Sequence, residues 1–174
     1  MAQINLIRLL LDISSLPEGA HVLDTGCGVG GTSRFLASQL GCTVTGITIS
    51  GKQVQIATRL TKTEAAKVAE GVPVEADADG FIKLGNGKVR FIELDAEKMG
   101  EYFAEEEGRF DAVWISEALS HFPNKGLFFS NAQKVLKKGG KLVLADWFKN
   151  EGLGEKEFGA DIKPIEGEFL SDDG

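Results

Sequence analysis

The amino-acid sequence predicts an α/β fold: a doubly wound, mainly parallel sheet of about five strands with helices on both faces. Short apolar runs alternate with amphipathic segments of about ten or more residues, a pattern typical of βαβ units. The first apolar run leads into a glycine-rich loop, residues 26–31, and then into a helical pattern. With 174 residues, 43% of them apolar, the chain is long enough for one domain with a real core. A Rossmann-like domain is therefore expected.

The first half of the chain supplies two strands and three helices. Apolar residues at helical spacing predict a helix over residues 2–14, which a Pro-Glu-Gly turn ends. The short apolar run His21–Asp24 predicts the first strand, and the amphipathic segment Thr32–Leu40 predicts the helix that follows it. The run Thr43–Ile47 predicts the second strand. Apolar residues on one side predict a long helix from residue 51 to about residue 69.

The second half continues the same alternation after a polar interruption. Residues 70–87 carry acids and glycines, and they are expected to form a surface excursion with at most a small hairpin. Beyond it, apolar runs predict strands, periodic segments predict helices, and a Lys-Gly-Gly turn precedes the last strand. The elements predicted there are, in order, strand Val89–Leu94, helix Ala96–Glu105, strand Phe110–Ile115, helix Lys125–Leu136 and strand Lys141–Asp146.

The predicted fold indicates where a ligand binds. Right-handed crossovers bring the carboxyl ends of parallel strands to the same edge of the sheet, and ligands bind outside that edge. Four loops meet there: Asp24–Gly31, Thr48–Gln53, Asp95–Glu97 and Ser116–His121.

Composition excludes several kinds of partner and setting. Nineteen basic and twenty-six acidic residues give a net charge of −7, which argues against nucleic acid or an anionic membrane surface as the main partner. Two cysteines, Cys27 and Cys42, and two histidines, His21 and His121, are too few and too scattered for a metal site or a disulfide framework. A reduced, cytoplasmic setting is expected, with no secretory signal and no membrane span.

The glycine loop allows two kinds of nucleotide ligand. Gly26, Gly28 and Gly31 fit a dinucleotide-binding spacing, but Asp24 would face a pyrophosphate with like charge. The second strand ends at Thr48 without the acid that an NAD ribose requires. S-adenosylmethionine has no phosphate, and its sulfonium and ammonium groups suit a carboxylate at the end of the first strand. The alternative without a ligand is a tight strand-to-helix turn.

The run Val22–Gly31 resembles motif I of the class I S-adenosylmethionine-dependent methyltransferases, and the likeness extends over about residues 20–147. Gly46–Ser50, followed by Gln53, resembles the sterol C-methyltransferases, tocopherol methyltransferases and cyclopropane-fatty-acid synthases, which have threonine where most relatives have an acid. The chain is thus identified as similar to the type 11 methyltransferases. The resemblance implies S-adenosylmethionine as cofactor and S-adenosylhomocysteine as product.

The resemblance also implies a set of cofactor-binding residues. Thr48, Ile49 and Gln53 would line the ribose and methionyl region, Asp95 would accept from the adenine amino group, and Ala96 would lie near the ring. Asp95 and Glu97 can also cap the following helix, and both roles can coexist. The full set is Asp24, Gly26, Cys27, Gly28, Gly30, Thr48, Ile49, Gln53, Asp95, Ala96, Glu97 and Ser116.

The segment from Ser116 to Lys125 resembles the fourth-strand region of the sterol and tocopherol methyltransferases through its spacing of Glu117, His121 and Pro123. A residue preceding the histidine is acidic in the cyclopropane synthases, whereas Ser120 stands here. Glu117 and His121 are the two candidates for a catalytic base, and His121 is preferred because histidine titrates near neutrality. Alternatively, His121 packs over the cofactor or bonds the backbone, and Glu117 orients a neighbour.

Residues 1–147 are expected to form the cofactor-binding domain, and the acidic, glycine-rich residues 148–174 a flap or a disordered tail. The C-terminal antiparallel strands of the resembling family are expected to be missing, which would expose the strand-five edge to self-association. Three hypotheses follow: in-line methyl transfer to a small lipid-like, polycyclic or aromatic acceptor; a truncated or partner-dependent cofactor-binding domain without activity of its own; and, third, a nicotinamide oxidoreductase.

Overall fold

The protein, seen in a computed structural model that describes residues 2–106 and 108–146, contains a six-stranded sheet within those ranges. The helices are α1 Ala2–Ser14, α2 Gly31–Leu40, α3 Gly51–Val68, α4 Met99–Tyr102 and α5 Lys125–Val135. The strands are β1 His21–Thr25, β2 Thr43–Thr48, β3 Ile82–Leu84, β4 Gly87–Glu93, β5 Phe110–Ser116 and β6 Leu136–Ala145. The predicted tail, residues 148–174, lies outside the described residues.

The strand order is β3-β4-β2-β1-β5-β6, and β1 lies at the centre. Strand β1 pairs in parallel with β2 on one side and with β5 on the other, so the order reverses at β1. Strands β4 and β6 extend the parallel sheet outward. The five predicted strands and the doubly wound class are confirmed. The excursion at 70–87 contributes the short strand β3, which forms an antiparallel hairpin with β4.

Helices cover both faces of the sheet, as predicted. Neighbouring residues of a strand point to opposite faces, so Val22 and Leu23 of β1 enter different apolar clusters. Val22 packs with residues of α1, α2 and α3, and Leu23 packs with residues of α4 and α5. Fully burying an apolar side chain such as Leu23 stabilises the fold by about 1.5–3 kcal/mol.

Two regions differ from the prediction. The helix expected over 96–105 is wrong as a continuous element, because a 3₁₀ turn, the single turn α4 and a second 3₁₀ turn replace it. Gly100 lowers helix propensity there and lets α5 approach closely, since a Cβ on Gly100 would lie 2.4 Å from Asn131 Oδ1. Strand β6 begins at Leu136, but the pairing register jumps over residues 137–140, where the Lys-Gly-Gly turn was predicted.

No helix within the described ranges is long and apolar enough to cross a membrane.

Candidate functional site

The four predicted loops do lie together at the carboxyl edge of the sheet. Strands β1, β2, β4 and β5 run in parallel and end at Thr25, Thr48, Glu93 and Ser116, respectively. Each loop lies at the carboxyl end of one of these strands. This edge therefore contains every residue predicted to bind the cofactor or to act in catalysis.

The glycine loop is folded by its own backbone and by close packing. The N–H groups of Gly26 and Cys27 both donate to the carbonyl of Ile47, at 2.9 and 3.0 Å. Gly26 and Gly30 have positive φ, and a Cβ there would lie 2.6 Å from Ala118 Cβ or 2.4 Å from the Phe91 ring, respectively. These two glycines are therefore required by contacts within the protein, whatever the ligand.

Gly28 is different because its side-chain direction is open. Its φ is +54°, and a Cβ added to it would meet no protein atom within 4 Å. A larger residue would therefore project into the space outside the loop. An open glycine of this kind allows a ligand to approach the backbone closely.

Asp24 is buried at the end of β1 and points toward the first turn of α2. Its carboxylate accepts a hydrogen bond from Ser33 Oγ at 2.5 Å and another from the Ser33 backbone N–H. Burial raises the pKa of Asp24 from 3.8 to about 7, although both bonds from Ser33 act in the opposite direction. Ser33 is a residue that sequence reasoning missed, although its place in the first turn of the helix was the available signal.

The loop after β2 is ordered by its own polar side chains. Thr48 Oγ1 donates to Gln53 Oε1 at 2.7 Å, and the Ser50 N–H donates to Thr48 Oγ1 at 3.3 Å. Ser50 caps α3 by accepting from the Gln53 N–H. Ile49 is 76% exposed, so an apolar side chain stands open at the ligand edge.

The loop after β4 has the predicted capping contact. Asp95 Oδ1 accepts from the Glu97 N–H at 2.9 Å, and Ala96 is buried beneath it. The adenine contact of Asp95 stays a prediction. The Glu97 carboxylate accepts from the Asn124 N–H at 2.6 Å, so Glu97 is bonded to the loop after β5.

Glu117 and His121 lie on the loop after β5, next to the glycine loop. Glu117 has φ +55°, a conformation that is uncommon for a residue other than glycine and that clusters at functional sites. Its N–H donates to the Ala145 carbonyl at 2.8 Å. His121 is exposed at the end of the 3₁₀ turn Leu119–His121, and Asp146 accepts from the Leu119 N–H at 2.7 Å. This contact of Asp146 with the loop was not predicted from the sequence.

Residues 23–144 match the family described as a methyltransferase domain. The chain belongs to the S-adenosylmethionine-dependent methyltransferases. It is 42% identical over 135 residues to a 2-methyl-6-phytyl-1,4-hydroquinone methyltransferase of Synechocystis, covering 78% of this chain and 34% of that protein. It is 32% identical over 136 residues to a chloroplastic tocopherol O-methyltransferase of Arabidopsis thaliana, covering 78% and 32%. The methyltransferase chain thus spans about a third of the length of these curated relatives.

Among solved structures, the methyltransferase chain has the fold of a sarcosine dimethylglycine methyltransferase from Galdieria sulphuraria, described as putative. The TM-score is 0.66 at 22% identity, over 95% of this chain and 54% of that one. The family and the cofactor predicted from the sequence are both confirmed.

The residues at this edge of the sheet fit S-adenosylmethionine. A cation beside the buried carboxylate of Asp24 would favour its ionised form, and the ligand has cationic groups. The open position at Gly28 leaves room for close approach, and the exposed Ile49 offers an apolar surface for a ring. Which side chains contact the ligand stays a prediction.

The surroundings of Cys27 and His21 argue against acid–base roles for these two residues at this edge. Burial raises the pKa of the Cys27 thiol far above its ordinary value, and the charge of the nearby Asp24 carboxylate raises it further. The thiol therefore stays protonated. His21 begins β1 at the opposite end of the strand, where its N–H donates to Asp111. No cluster of His, Cys, Asp and Glu that could hold a metal occurs among residues 2–106 and 108–146.

Proposed function

We propose that the protein transfers a methyl group from S-adenosylmethionine to a small molecule of lipid-like, polycyclic or aromatic character. The Synechocystis relative is named for a hydroquinone that carries a phytyl chain, and the Arabidopsis relative is named for tocopherol. A ring with an attached apolar chain is therefore the first acceptor to test.

The observation that carries this proposal is the contact between the glycine loop and the loop after β5. Gly26 lies so close to Ala118 that a Cβ on the glycine would be 2.6 Å from Ala118 Cβ. Glu117 precedes Ala118, and His121 follows it within the same loop. The loop proposed to hold the cofactor is thus in contact with the loop that carries the proposed catalytic groups.

We assign three tasks to the residues of this edge. The cofactor supplies an activated methyl group, so the protein mainly has to hold the acceptor in line and exclude water. His121 takes the proton from an acceptor that must lose one. Glu117 has a positive φ, and its N–H is bonded to the Ala145 carbonyl. In this position it orients the histidine or the acceptor.

The alternative function is a cofactor-binding domain that is active only with a partner. Within the described part of the chain, β6 pairs with β5 alone, and Leu142 on it is 38% exposed. Strand edges with free backbone groups pair readily with other chains. We propose self-association through this edge, and light scattering that shows a concentration-independent monomer would contradict it.

We further propose that residues 1–147 act as the cofactor-binding domain and 148–174 as an acidic tail. Support comes from the family match at residues 23–144 and from the eight acids and three lysines of the tail.

We propose a reducing compartment, such as the cytoplasm. Cys27 and Cys42 are both free thiols in the structure, which is usual for proteins of reducing compartments.

The test of the proposed function is a methyl-transfer assay. The purified chain is incubated with S-adenosylmethionine and, in turn, with 2-methyl-6-phytyl-1,4-hydroquinone, a sterol and a small phenol. Mass spectrometry should detect a methylated acceptor together with an equal amount of S-adenosylhomocysteine. Cofactor binding without a methylated product from any acceptor would favour the partner-dependent alternative.

A further inference from the structure

Glu97 forms hydrogen bonds through its backbone N–H, its backbone carbonyl and its carboxylate. Its N–H donates to Asp95 Oδ1 at 2.9 Å, and its carbonyl accepts from Asn131 Nδ2 at 2.6 Å. Its carboxylate Oε1 accepts from the Asn124 N–H, also at 2.6 Å. The first bond lies within the segment after β4, and the other two connect this segment to helix α5 and to the loop that follows β5.

Each end of this connection makes a further contact of its own. Asn131 is 4% exposed and packs against Gly100, so that a Cβ on the glycine would collide with its side-chain amide oxygen. Asn124 caps α5 by accepting from the Leu127 N–H at 2.9 Å. A movement of Glu97 would therefore also move Asn124, which is bonded to it and lies three residues after His121.

The loop formed by residues 117–124 is bonded at its two ends to different parts of the sheet edge. Its beginning is bonded to the end of β6, through the Glu117 N–H to Ala145 and the Leu119 N–H to Asp146. Its end is bonded to Glu97. Glu97, which makes the contact at the end of the loop, is also bonded through its N–H to Asp95, a predicted cofactor-binding residue.

We propose that Glu97 is a positioning residue that couples the cofactor site to the loop 117–124. This role replaces the direct cofactor contact that the family resemblance implies for Glu97, because its carboxylate is bonded to Asn124. The inference rests on the proposed function, because it takes Asp95 as a cofactor contact and His121 as the catalytic base. A ligand bonded to Asp95 restricts residues 95–97, and the Glu97 carboxylate then holds Asn124 and the loop before it. Cofactor binding thereby orders the acceptor side, and the coupling is reciprocal by thermodynamic necessity.

The experiment measures amide hydrogen exchange of residues 119–122 and 124, with and without S-adenosylhomocysteine. It compares the wild type, Glu97→Ala, Glu97→Gln and the control Glu101→Ala, which removes an exposed carboxylate from the neighbouring turn α4. Without ligand, Glu97→Ala should exchange roughly 10- to 100-fold faster at Asn124, the effect of losing a hydrogen bond to a charged acceptor. Glu97→Gln keeps an acceptor oxygen and should restore most of the protection.

The ligand effect separates coupling from mere local stability. S-adenosylhomocysteine should slow exchange over residues 119–124 in the wild type and in Glu101→Ala, but not in Glu97→Ala. Its affinity for Glu97→Ala, measured by calorimetry, should fall less than about tenfold, because the ligand's own hydrogen bonds remain. If Glu97→Ala does not fold, Glu97→Leu, of similar size and without an acceptor, replaces it.

Three results would overturn the inference. The first is unchanged exchange at Asn124 in Glu97→Ala, and the second is a ligand effect on residues 119–124 that survives in that variant. The third is a much larger loss of S-adenosylhomocysteine affinity, which would make Glu97 a cofactor contact. A wild type that binds no S-adenosylhomocysteine would instead contradict the proposed function, and the coupling with it. Binding to the wild type is therefore measured before any variant is tested.

Discussion

Replacing Asp24 with asparagine should stabilise the ligand-free protein at neutral and alkaline pH. In the folded state the pKa of Asp24 is raised to about 7 by burial, against an ordinary 3.8. Between these two values the unfolded chain has released the proton that the folded protein still holds, so the free energy of unfolding falls as pH rises. Above about pH 7 the loss is complete, and below pH 3.8 it is absent.

The size of the effect follows from the shift. At 1.36 kcal/mol per pKa unit, the difference between 3.8 and about 7 corresponds to at most about 4 kcal/mol of lost stability. Asparagine has nearly the same shape and cannot ionise. Its carbonyl oxygen can still accept the bonds from Ser33, so the variant avoids the loss without breaking the local structure.

Urea unfolding of the wild type and Asp24→Asn at a series of pH values, from about pH 4 to about pH 8, measures this difference directly. The stability of the variant relative to the wild type should rise across that range. The exposed Asp12 supplies the control, since Asp12→Asn makes the same chemical change at a carboxylate that is not buried. A difference between Asp24→Asn and the wild type that does not vary with pH would refute the reasoning.

Two further predictions concern the ligand edge. Gly28→Val should fold but lose S-adenosylhomocysteine binding in calorimetry, because its side chain enters the open space beside the loop. Gly71→Val is the matched control, since Gly71 also has positive φ and an open Cβ direction but lies in the loop after α3. If Gly28→Val binds as well as Gly71→Val does, the glycine loop is not the cofactor site. His121→Ala should reduce turnover on a proven acceptor by roughly two to four orders of magnitude, the usual contribution of a general base, while calorimetry finds nearly unchanged S-adenosylhomocysteine affinity. Full turnover by His121→Ala would make the histidine structural.

The sheet could be predicted from the sequence because its signals are local. A buried strand such as Phe110–Ser116 contains a continuous apolar run, Ala112–Ile115, and parallel pairing follows from the helices between the strands. The segment 96–105 could not be predicted in the same way. Its apolar pattern suits a helix, but the approach of Asn131 to Gly100 decides its path, and that contact joins distant parts of the chain.

The candidate site could be predicted as a set of residues, but not as a set of contacts. The topology alone brings Glu97 and His121 to the same edge of the sheet. The bond from Asn124 to Glu97 depends on how two loops meet across the sheet edge, which spacing does not encode. Likewise, the sequence predicts Gly30 as a cofactor-binding glycine. The structure gives a further reason for a glycine there, because a Cβ would collide with the Phe91 ring.

Calorimetry of the purified chain with S-adenosylmethionine, S-adenosylhomocysteine and NAD tests the central claim most directly. The buried carboxylate of Asp24, the open Gly28 and the lack of an acid at Thr48 predict binding of both adenosyl ligands and none of NAD. Binding of NAD, with no heat from either adenosyl compound at millimolar concentration, would contradict it.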